Sequence, residues 1–262
     1  MRHRTKMTAL AGALVLPVLA IPTAAHADVF SGDIQITKVV VNGGKDIVLG
    51  TTDVKTFTIA VTATDNSGIR TEFTYPVMWN TPLKNGDYYG LLVPENVLGK
   101  CVRQSFTTAT CTYTMKMNPR IHPQDNSTAG TWAVRADVQA NDGDYFTKDS
   151  AAKVKVLRYA KLTANASPEP VKKNQTITVT GALTRANWET FKYAGYGNRP
   201  VNLQFKKKGA GAYTTLKTVM TDSKGNLKTT TKATADGDFR YVYAGSSTTT
   251  PATSAADYVD VK

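Results

Sequence analysis

Apolar side chains recur at every second position through most of this chain. Phe57, Ile59, Val61 and Ala63 fall on one face of an extended segment, with Thr56, Thr58, Ala60 and Thr62 on the other. The same alternation runs through Phe73, Tyr75, Val77 and Trp79, through Cys111, Tyr113 and Met115, and through Trp132, Val134, Ala136 and Val138. A period of two marks strands with one buried face, so these segments are expected to pair in antiparallel sheets. Pro76 removes a ladder donor from the second of them, which predicts an edge or a bulge there.

The pattern restarts after Tyr159. Ile177, Val179 and Leu183 alternate, then Val201, Leu203 and Phe205, then Leu227, Thr229 and Thr231, then Phe239, Tyr241 and Tyr243. Turn residues separate these runs at Gly209-Ala210-Gly211, at Asp222 to Asn226 and at Asp236-Gly237-Asp238. About seven short strands per hundred residues is the spacing of an Ig-like sandwich. The chain therefore reads as all-β, with two tandem Ig-like antiparallel β-sandwiches at residues 28–158 and 159–262. Lys153 to Arg158 reads as the last strand of one and Lys161 to Ala164 as the first of the next, so the junction is short and the pair semi-rigid.

Composition supports strands over helices: there are 39 Thr and only four Glu. The N-terminus has the three parts of an export signal: Arg2, Arg4 and Lys6, the apolar run Ala9 to Ala20, and the small-residue site Ala25-His26-Ala27. Residues 1–27 are expected to be cleaved, leaving Asp28 first. The apolar run is too short for a spanning helix. A transmembrane anchor is therefore not expected, and neither a lipoprotein cysteine nor a wall-sorting tail is read. The expected location is secreted, extracellular or loosely associated with the cell wall, and a monomeric chain is expected.

The formal charge is +12, and loss of Arg2, Arg4 and Lys6 leaves +9. Residues 159–262 hold 15 basic and 7 acidic side chains, so nearly all of the excess lies in the second half. Outside a cell that excess favours anionic wall polymer or acidic polysaccharide, and the compartment disfavours nucleic acid. Cys101 and Cys111 are the only cysteines. In an exported chain the pair reads as a disulfide closing a short hairpin, since two thiols without a nearby histidine cannot complete a zinc site.

Three blocks in the second half carry a resemblance: Thr180 to Trp188, Arg199 to Lys208, and Tyr241 to Ser247. Together they resemble the Ig-like modules of actinobacterial secreted proteins. The resemblance covers residues 159–262 and implies a non-catalytic extracellular β-sandwich.

Searching for chemistry yields few candidates. After cleavage His122 is the only histidine, in a Pro-flanked connection, and no G-x-S-x-G elbow accompanies it. Zinc-protease and phosphate-loop motifs are absent. No cofactor is required, but calcium has a candidate site. The loops Asp65 to Gly68 and Asn141 to Asp144 occupy the B–C and F–G positions of an Ig-like fold, which share one end. Asp65, Asn66, Asp142 and Asp144 offer the hard oxygens that calcium takes, although tight turns favour the same residue types. A second candidate is the aromatic and basic stretch Trp188, Phe191, Lys192, Tyr193, Tyr196 and Arg199. Exposed, it would stack on sugar rings and pair with acidic substituents; buried, it would cap the sandwich edge.

The favoured reading is a secreted, non-enzymatic binding or adhesion module near the cell envelope that contacts anionic wall polymer or acidic polysaccharide. A calcium-stabilised structural or spacer protein is the alternative, and a carbohydrate-active enzyme is third.

Overall fold

The computed structural model describes residues 28–84 and 87–262. The expected export signal at residues 1–27 lies outside the described residues. Among them the helical segments are short 3-10 turns, and no helix is long and apolar enough to cross a membrane.

The first half contributes β1 (Val29–Ser31), β2 (Gln35–Val41), β3 (Ile47–Leu49), β4 (Lys55–Thr64), β5 (Tyr75–Lys84), β6 (Asp87–Leu92), β7 (Lys100–Arg103), β8 (Thr108–Met117), β9 (Gly130–Gln139) and β10 (Tyr145–Arg158). One sheet has the order β2-β4-β8-β7. The other has the order β1-β10-β9-β5-β6, with β3 lying parallel to the end of β10. This is the Ig arrangement: β2, β4, β8 and β7 take the places of strands A, B, E and D, while β5, β9 and β10 take those of C, F and G. The core fills from both sheets with the alternating residues, including Phe57, Ile59, Val61, Tyr113, Met115, Trp132 and Val134. The Tyr113 hydroxyl donates to the Thr74 carbonyl, and burial pushes its pKa up to about 12.

One expected face is corrected. On β5 the core side is Pro76, Met78 and Asn80, whereas of the expected face only Trp79 is buried: Phe73 is half exposed in a turn and Tyr75 and Val77 are only partly buried. Register explains this: Pro76, Met78 and Asn80 stand opposite Ala136, Val134 and Trp132 of β9, which face the core. Buried Asn80 is satisfied by donating to the Thr128 carbonyl at 2.8 Å. Pro76 lies where β6 does not reach, since their pairing begins at Met78 and is irregular before Asn80.

The second half contributes β11 (Ala160–Leu162), β12 (Asn165–Ser167), β13 (Thr176–Asn187), β14 (Lys192–Gly195), β15 (Pro200–Lys207), β16 (Thr214–Met220), β17 (Asn226–Lys232), β18 (Gly237–Tyr243), β19 (Ala252–Thr253) and β20 (Asp257–Val259). Long β13 pairs with β11, β12, β14 and β17, facing a sheet in which β16, β15 and β18 are neighbours and β19 and β20 both line β18. Ile177, Val179, Leu183, Val201, Leu203, Phe239 and Tyr241 pack between them. The Tyr241 hydroxyl crosses the core to the Val179 carbonyl at 3.0 Å, and burial raises its pKa to about 12.

Only Tyr159 separates β10 from β11. Its N–H donates to the Leu49 carbonyl at 2.9 Å, and its carbonyl accepts from the Ala186 N–H at 2.9 Å, so one residue is bonded to both halves. Arg158 is buried beside it and donates through Nε to the Ala186 carbonyl at 2.5 Å. Burial, with repulsion from Arg185, lowers the Arg158 pKa to about 10.

Candidate functional site

The aromatic stretch is not an open stacking surface. Trp188 is 1% exposed and packs with the core of the first half, joined there by Ala186 and half-buried Tyr193. Its Nε1–H donates to the Gly50 carbonyl at 3.0 Å, and its backbone N–H donates to Asn126 Oδ1 at 3.0 Å. Asn126 in turn donates to Asn187 Oδ1 at 3.0 Å, and that oxygen also receives the Glu189 and Thr190 N–H groups of the turn. The β13–β14 hairpin is therefore a plug between the two halves. Phe191 stacks with Arg120, 4.9 Å from guanidinium to ring centre, and Lys161 lies 3.7 Å over Tyr193. Tyr196 is also buried, clamped between Arg185 and Arg199 at 3.8 and 4.4 Å. Of the six proposed contact residues only Lys192 is exposed. Trp188 and Tyr196 are buried and Phe191 and Tyr193 half-buried because each ring has a cation or a core to cover it, which a linear reading of their spacing does not disclose.

An aromatic and basic surface does exist, on other residues. On β15 and β18 the side chains opposite the core are Gln204 and Lys206, and Asp238 and Arg240. Tyr213, before β16, lies across them, with Arg240 at 3.6 Å and Lys206 at 5.0 Å from its ring centre. Arg240 donates through Nε to Gln204 Oε1 at 2.9 Å, and Lys206 pairs with Asp238 at 3.1 Å. Lys208 continues this side on the exposed hairpin, where it meets Asp236 at 3.7 Å, while Lys207, exposed at the end of β15, falls on the other side of the strand. Lys206 to Lys208 are adjacent in the sequence, whereas Arg240 and Tyr213 meet Lys206 only through the fold.

The two acidic loops of the first half do meet. Asn141 donates to the Ser67 carbonyl at 2.8 Å, and the Asp142 N–H donates to Ser67 Oγ at 3.2 Å. The acidic cluster itself differs from the expected set. Asp65 and Asp144 are joined by Asp33, with carboxylate oxygens of all three within 4.8 Å of one another. Asp142 instead shapes the turn by accepting the Asp144 N–H at 3.2 Å, and Asn66 donates to Asp33 Oδ2 at 2.8 Å. Sequence spacing does not point to Asp33, which lies on the segment between β1 and β2, far from both loops in sequence.

His122 is partly buried, and its Nδ1 accepts the Asn118 N–H at 2.8 Å, which requires that nitrogen to be unprotonated. Burial lowers its pKa. Cys101 and Cys111 form a disulfide between directly opposed positions of β7 and β8.

The chain matches no family model and no curated protein. Among solved structures it is similar to the three N-terminal domains of the Highly Immunogenic Outer Capsid protein of bacteriophage RB49, at 10% identity over 87% of this chain and 70% of that one, with a TM-score of 0.31. The D00-D0 domain of intimin matches at 15% identity, 85% and 99% coverage and a TM-score of 0.28. The adhesin InvE of Yersinia pseudotuberculosis matches at 15% identity, 87% and 60% coverage and a TM-score of 0.30. Scores this low say nothing of partner or function, and the Ig-like assignment rests on the strand order.

Proposed function

We propose that the chain is a secreted, non-enzymatic binding or adhesion module near the cell envelope, and that it holds anionic wall polymer or acidic polysaccharide. The observation that carries this reading is the face of β15 and β18, where Lys206 and Arg240 flank Tyr213 and Lys208 extends the basic side onto the neighbouring hairpin. A ring flanked by cations can lie against a sugar while the cations meet its acidic groups, and the +8 of residues 159–262 attracts such a polymer from a distance. The disulfide and the N-terminal signal pattern support export.

Retention of the pure protein on isolated wall polymer tests this. Binding should be strong at about 0.01 M ionic strength, where the Debye length is ~30 Å, and weak at about 1 M, where it is ~3 Å. The triple variant K206Q/K207Q/K208Q should lose most retention, and Tyr213→Ala should weaken it while leaving the salt dependence. No retention at low salt overturns the proposal.

A further inference from the structure

We infer that Asp33, Asp65 and Asp144 form a calcium site that ties the segment between β1 and β2 to the two loops at one end of the first sandwich. This inference is independent of polymer binding. Three carboxylates from three separate segments converge within 4.8 Å, and among the described residues no lysine or arginine pairs with any of them. Left alone, three like charges at that range repel. Two oxygens on opposite sides of a calcium ion, each at about 2.3 to 2.6 Å, stand roughly 5 Å apart, so the spacing suits a single ion.

The state of Asp65 points to a ligand independently of the clustering. Asp65 is 3% exposed. Its Oδ1 accepts from the Ser67 N–H at 2.7 Å and from Ser67 Oγ at 2.6 Å, while its Oδ2 is buried and accepts nothing. A carboxylate oxygen removed from water without a partner is costly, and a cation at the cluster relieves that cost. The backbone is shaped for the approach as well. Gly32 has φ +78°, and a Cβ there would lie 1.5 Å from Asp144 Oδ2, so only glycine admits that carboxylate. The Asp33 N–H donates to the same Oδ2 at 2.8 Å, which fixes Asp144 against the incoming segment.

Calcium takes six to eight oxygens in flexible geometry, so three carboxylates leave places for water and neighbouring carbonyl or amide oxygens. Magnesium is smaller and sheds its water reluctantly, which disfavours it in a cluster built from three loops.

Calorimetric titration of the full chain with calcium chloride should show one site. Calcium at a hundredfold excess over its dissociation constant should raise Tm by about 5 to 10 °C relative to chelator. Asp33 is exposed, so Asp33→Asn should keep the fold and abolish the rise, as should Asp144→Asn; Asp142→Asn should retain it. Absence of binding heat and of any Tm change in the native chain overturns the inference. So does a full rise in both Asp33→Asn and Asp144→Asn, and an equal rise with magnesium overturns the choice of ion.

Discussion

Trp188→Ala removes the ring that joins the two halves. Trp188 is 1% exposed and sits in the core of the first half, although its chain segment belongs to the second. Truncating a fully buried Trp to Ala costs about 3 to 5 kcal/mol. For a chain of this size that corresponds to a fall in Tm of about 6 to 20 °C. Trp188→Phe separates the contributions: it keeps most of the apolar contact and loses the bond from Nε1 to the Gly50 carbonyl, a net cost of roughly 1 kcal/mol. Because the ring bridges two cores, the loss should fall on their coupling. Scanning calorimetry of the native chain should give one transition, and Trp188→Ala should split it, with far-UV circular dichroism at low temperature unchanged. A fall in Tm of less than about 2 °C with one transition retained would refute the bridging role. Loss of polymer retention in a variant that melts normally would instead return Trp188 to a contact surface.

Three other outcomes follow from the same structure. Cys111→Ser opens a ten-residue covalent loop between β7 and β8 and should lower stability by about 2 to 3 kcal/mol in urea unfolding, while intact-mass analysis of the native chain should show two hydrogens fewer than after reduction. Burial lowers the His122 pKa, so the unfolded chain takes up a proton first as pH falls through the ordinary histidine range near 6.5, and that part of the stability is lost on acidification. Urea midpoints from about pH 8 to 5 should therefore fall less steeply in His122→Gln than in the native chain, and identical slopes would refute the assignment. The proposed polymer contact predicts that Lys192→Gln, away from the Tyr213 face, leaves retention unchanged.

Period-two alternation made the cores legible wherever a strand has one buried face: Phe57 to Ala63 and Trp132 to Val138 face inward as their spacing requires. It failed on β5 because Tyr75, Val77 and Trp79 are as apolar as the residues between them, and only the pairing of Met78 with Val134 decides which face is core. The candidate sites were legible in kind but not in membership. Asp65 and Asp144 stand in loops whose meeting an Ig-like topology anticipates, whereas Asp33 joins them through the path of the chain after β1. The Trp188 stretch has the composition of a sugar-stacking surface, yet equally that of a plug between two sandwiches. Composition cannot separate these roles, because burial depends on whether a neighbouring core exists to receive the ring.

Strand β10 connects these features mechanically. It leaves the acidic loop at Tyr145 and ends at the junction at Arg158, and thirteen steps of about 3.3 Å place those ends at most ~43 Å apart. Charges separated by much more than the Debye length of ~8 Å at physiological ionic strength are screened from one another, so an effect of the carboxylate cluster carried along β10 to the junction would not be directly electrostatic. Any communication would have to pass through movement at Tyr159. That residue is bonded to Leu49 on one side and Ala186 on the other, and Trp188 is locked beside it, so the hinge a longer linker would provide is absent. The proposed cation site and the proposed polymer contact are then separate features of one braced structure. The brace bears on the proposed polymer contact, because a polymer held on the basic face would pull on the first sandwich through this junction and not through a free tether.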